Sequence, residues 1–64
     1  FDGEVLALEV KLSAHVDNKD VRHLLWLRDQ LPDRVNNVAV LYTGTEAYQR
    51  QDGVAVIPLS LLGL

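Results

Sequence analysis

The sequence predicts an α/β (α+β) domain, ordered strand, helix, strand and C-terminal hairpin, with a mixed three- to four-stranded sheet and one main helix on one face. Three observations predict it. Glu4 to Leu12 is an apolar-rich run free of Gly and Pro, as a strand requires. Asp17 to Leu31 has a helix start signal, helically spaced apolar residues and a proline stop. Val35 to Tyr42 and Val54 to Leu59 are further apolar runs, bounded by turn residues.

The elements follow in order. In the first strand Leu6, Leu8, Val10 and Leu12 share one face by the two-residue period, and Glu9 and Lys11 share the other, roughly 6 to 7 Å apart. This division suits a strand that holds its leucines against a core and offers a carboxylate and an ammonium on its open side. Ser13 to Val16 reads as a short connection. Asp17 is then the helix N-cap, with Asp20 at N3 where the helix dipole favours a carboxylate. Val16 and Val21 flank the cap as a hydrophobic staple. Val21, Leu24, Leu25, Leu27 and Leu31 form the apolar helix face, and Pro32 ends the helix near Leu31. Trp26 falls on the far side from Val21.

The second strand spans Val35 to Tyr42 and ends at Thr43-Gly44. Gln51-Asp52-Gly53 is a hairpin turn joining an edge strand, Glu46 to Arg50, to an apolar strand starting at Val54. The tail from Ser60 to Leu64 either begins a helix or packs as an extended end. A strand, helix, strand order implies parallel pairing of the first two strands through a right-handed crossover. Val38 to Leu41 and Val54 to Ile57 are apolar on both faces, the pattern of strands covered on two sides. With one full helix available, a second covering layer must come from the rest of a parent protein or from another copy of the chain. Trp26 is a candidate for that interface as well.

A chain of 64 residues is at most one domain, and its burial only just suffices for independent folding. It has no cysteine to staple it. No apolar stretch approaches the ~20 residues needed to cross a bilayer, so a soluble protein is expected, and the absence of cysteine fits a reducing compartment, the cytoplasm being the expected one. With no initiating methionine and no signal segment at Phe1, the chain reads as a single partial domain, residues 1–64, cut from something longer. The net charge of -3 argues against broad electrostatic capture of nucleic acid, while leaving room for a local basic patch.

Taken together, Glu9-Val10-Lys11-Leu12-Ser13, the helix after it, Val38-Ala39-Val40-Leu41-Tyr42-Thr43-Gly44 and Val56-Ile57-Pro58-Leu59-Ser60 resemble the C-terminal domain of a large group of poorly characterised prokaryotic AAA+-type ATPases. That domain is similar to the PD-(D/E)XK, or restriction-endonuclease-like, fold. The resemblance covers nearly the whole chain and implies a partial restriction-endonuclease-like domain. It implies catalytic roles for Glu9, as a divalent-metal ligand, and for Lys11, which would position the attacking water or stabilise charge at phosphorus. The implied cofactor is Mg2+ in the parent protein and none in this chain. The pattern also needs an aspartate on a preceding strand. Asp2 lies at the chain end and Glu4 on the opposite face from Glu9, so this chain alone is expected to bind metal weakly and cleave nothing.

Other chemistries lack their residues. His15 and His23 are eight residues apart without a further ligand in zinc spacing. Asp17-Asn18-Lys19-Asp20 lacks the Gly and terminal Glu of a calcium loop and reads as capping. Leu12-Ser13-Ala14-His15 stands where a Gly-rich phosphate loop would follow the first strand. Lys11, Lys19 and Arg22 are candidates to gather at the strand-to-helix junction, as a phosphate site or as a solvated cluster. Two functions remain open: an ATPase accessory domain acting on nucleic acid, and a non-catalytic module for homodimerisation or for docking to the rest of its parent.

Overall fold

The computed structural model describes residues 5–63. Strand β1 (Val5–Lys11) leads into helix α1 (Asn18–Gln30), then β2 (Val35–Tyr42), β3 (Tyr48–Gln49), β4 (Ala55–Pro58) and a 3-10 turn at Leu59–Leu62. The four strands lie in the order β1-β2-β4-β3, with β1, β2 and β4 parallel and β3 antiparallel to β4. The mixed sheet, the single main helix and the parallel first pair all agree with expectation.

Helix α1 starts where its capping chemistry dictates. The Asp17 carboxylate accepts from the backbone N–H groups of Lys19 and Asp20, and the Asp20 carboxylate accepts in return from the Asp17 N–H, a complete capping box. At the other end the Leu31 N–H still reaches the Leu27 carbonyl at 3.0 Å, after which Pro32 ends helical geometry. The hairpin closes by Gly53 N–H to Arg50 C=O at 3.0 Å and Arg50 N–H to Val54 C=O at 2.9 Å, with Gly53 at φ +91°. That left-handed conformation is why glycine follows Asp52.

The core lies between α1 and one face of the sheet. Val21 and Leu24 from the helix meet Val35, Val38, Val40 and Tyr42 of β2 and Val54 and Val56 of the hairpin strand, all buried. Val35 and Val38 share this face although they are an odd number of residues apart. An irregularity in the β1–β2 register, where Val5 pairs Val35 but Leu6 pairs Asn37, puts an extra residue into β2 and restores the alternation.

Two expectations need correction. The first concerns β1. Ala7 is the strand residue that packs toward the core, so Glu9 and Lys11 lie on the helix side. Leu6, Leu8 and Val10 therefore face away from the helix, 51%, 51% and 58% exposed, and Leu12, just past the strand, is exposed as well. The periodicity was sufficient to separate the two sets; it carried no information on which set the helix covers. The second concerns the edge strand expected from Glu46 to Arg50, which shrinks to Tyr48–Gln49. Ahead of it, the Tyr42 hydroxyl donates to the Glu46 carbonyl at 2.5 Å and accepts from the Glu46 N–H at 3.2 Å, so the chain loops around a side chain instead of pairing. A Cβ on Gly44 would overlap the Tyr42 ring, so the loop closes this tightly only with glycine there.

Candidate functional site

The charged end of β1 is built by two elements. Lys11, the last residue of β1, extends under the first turn of α1, where its ammonium donates to Asp20 Oδ2. The same oxygen accepts the Asp17 N–H at 2.8 Å. The Lys11 ammonium, followed by the Asp17 N–H, holds the Asp20 carboxyl below its ordinary carboxylate range. A depressed folded-state value stabilises the fold above the unfolded value, about pH 4, and that contribution is lost as pH falls through the folded value. Asp20→Asn is therefore expected to be less stable than the parent at pH 6 in urea unfolding, with the gap closing below about pH 4. A gap that stays constant to low pH would contradict the pairing.

Glu9 lies on the same side of β1 as Lys11 and is exposed. Among the described residues no group of three or more His, Cys, Asp or Glu could hold a metal ion. Lys11 is paired with Asp20. The described residues do not fit a divalent cation. Asp2 and Glu4 lie outside the described residues. Lys11, Lys19 and Arg22 do not gather: Lys11 points to Asp20, whereas Lys19 and Arg22 stand with His23 and Trp26 around a shallow concavity on the outer helix surface.

A broad apolar surface is the sheet face that α1 leaves open. Register places Leu8 beside Ala39 and Ala39 beside Ala55, so one row across three strands reads large, small, small. The next row, Val10, Leu41 and Ile57, is large throughout. The result is a ridge along β1 and a shallow trough over Ala39 and Ala55. Exposed aliphatic surface of this continuity is uncommon on a monomeric protein. Trp26 is 55% exposed but sits on the helix, on the other side of the sheet from this face, so one partner layer over the trough does not reach it.

Sequence reasoning missed Arg50. Its guanidinium donates to the Val16 carbonyl at 3.2 Å, to the Asn18 side chain and to the Asp52 carboxylate at 3.1 Å, tying the hairpin to the start of α1. Arg28 adds a bond to the Asp52 carbonyl at 2.7 Å. The only local signal was Arg50-Gln51-Asp52, which fixes the turn but not its long-range partners. These contacts give Arg50 a structural role.

No helix among the described residues is long and apolar enough to cross a membrane. No curated protein and no solved structure matches the chain significantly, and none of the comparisons returns a PD-(D/E)XK protein. The model of the domain of unknown function DUF4143 matches residues 1–62. With that match spanning nearly its whole length, the chain belongs to the DUF4143 family.

Proposed function

We propose that this chain is the C-terminal accessory domain of an AAA-type ATPase and serves as a non-catalytic docking module, its open sheet face covered by a second copy of the domain. The observation that carries this reading is the exposed ridge of Leu6, Leu8 and Val10 beside the trough over Ala39 and Ala55. A ridge and a trough on one surface are self-complementary under a two-fold axis, since each copy can seat its ridge in the other's trough. Two sheets packed in this way lie about 10 Å apart and supply the second layer that β2 and β4 otherwise lack. The chain is expected to sediment as a dimer at micromolar concentration, and a stable monomer would contradict the second-copy reading.

A second reading rests on the shared strand side of Glu9 and Lys11. In it they are the remnant of a phosphodiester-cleaving site that a carboxylate from elsewhere in a longer parent would complete, with Mg2+ as the cofactor. Magnesium- or manganese-dependent nuclease activity of such a parent, abolished by Lys11→Ala, would support this reading. Activity that survives the substitution would count against it.

A further inference from the structure

We propose that Lys19, Arg22, His23 and Trp26 form a binding ridge for single-stranded nucleic acid on the outer surface of α1. The four positions follow i, i+3, i+4 and i+7 spacing, which places them in one stripe along the helix. All four side chains are exposed and together border one shallow concavity. The helix residues that build the core are Val21 and Leu24, so Trp26 is not needed to fill it. The His23 and Trp26 rings stand 6.1 Å apart and tilted by 33°, presenting two neighbouring aromatic surfaces to solvent.

The charge is local. The chain carries a net -3, yet this stripe presents lysine and arginine side by side. The ion pairs formed among the described residues join Lys11 to Asp20 and Arg50 to Asp52, and use neither Lys19 nor Arg22. Asp29, one turn beyond Trp26, ends the stripe with the opposite sign.

This combination selects a ligand with both phosphates and free π-faces. Lys19 and Arg22 supply the phosphate contacts, and Trp26 supplies a stacking surface that every base can use. From position 19 to position 26 the helix rises roughly 10 Å, so the stripe is long enough to contact more than one nucleotide of an extended strand. A duplex hides its base faces in the stack and would use the cations alone. An acidic peptide would do the same. Because the ridge lies across the sheet from the open apolar face, this binding does not depend on the docking reading.

The test uses a fluorescein-labelled oligothymidine of about ten nucleotides, followed by anisotropy, with Trp26 emission as an internal reporter because it is the only tryptophan. Binding is expected to quench that emission. Two phosphate contacts at a slope of ~0.7 each predict roughly sevenfold weaker binding between about 50 and about 200 mM salt. Trp26→Ala should weaken binding roughly tenfold, and Trp26→Phe should restore most of it. Lys19→Glu combined with Arg22→Glu should remove binding, and Asp29→Asn should strengthen it, with circular dichroism confirming that each variant is folded. Absence of binding at low salt would overturn the proposal. So would equal affinity for an abasic oligomer, a duplex or polyglutamate, or a Trp26→Ala variant that binds like the parent.

Discussion

Leu24→Ala is expected to cost about 2–5 kcal/mol, the range for removing a fully buried leucine whose surroundings collapse only partly. Leu24 is 1% exposed and belongs to the core cluster that joins α1 to Val38, Val40 and Val56 of the sheet. The effect is large relative to what the domain has to lose. At about 0.05–0.15 kcal/mol per residue, a chain of 64 residues has roughly 3–10 kcal/mol in all. Urea unfolding followed by circular dichroism should show either a sharply lowered midpoint or a largely unfolded population at 25 °C. A loss below about 1 kcal/mol would mean that the helix does not seat Leu24 against β2 as described.

Leu8→Glu should behave in the opposite way. Leu8 is of the same residue type but lies half exposed on the face the helix does not cover, so a single domain keeps its fold when the side chain becomes polar. The expected change in the stability of the isolated domain is within about 0.5 kcal/mol, as for other surface substitutions. Association is another matter. Each dimer would lose two buried leucines, about 3–6 kcal/mol at 1.5–3 kcal/mol apiece, which weakens it by roughly a hundredfold or more. Unfolding of Leu8→Glu as a monomer would restore the reading in which the leucines of β1 face the core, and would contradict the orientation seen in the structure.

That contrast shows what the sequence carried and what it did not. Asp17, Asp20 and Pro32 set the helix ends by local chemistry, and the helix forms where those residues place it. The limits of β2 and the Asp52-Gly53 turn were likewise legible, because turn residues act on the backbone beside them. The side of β1 that meets the helix was not. A strand of alternating leucines and charges reads as amphipathic in either orientation, and in the structure it is Ala7 that packs toward the helix and Lys11 that pairs with Asp20 on that side. Glu9 and Lys11 were found together on one strand side, as their spacing requires, but the ion pair that engages Lys11 is a contact across nine residues that no local pattern announces. Arg50 was missed for the same reason, since its partners Val16 and Asn18 precede it by more than thirty residues. The short β3 goes with a side-chain bond from Tyr42 to Glu46, where the polar run before the Asp52-Gly53 turn pointed to a longer edge strand.

The most direct test of the docking role is sedimentation velocity of the chain and of Leu8→Glu across a concentration series reaching about 100 μM, above the micromolar range of ordinary specific association. The wild-type chain is expected to be a dimer that dissociates on dilution, and Leu8→Glu to be folded and monomeric at every concentration. A wild-type chain that stays monomeric throughout, or a Leu8→Glu variant that dimerises as readily as the parent, would contradict the docking role.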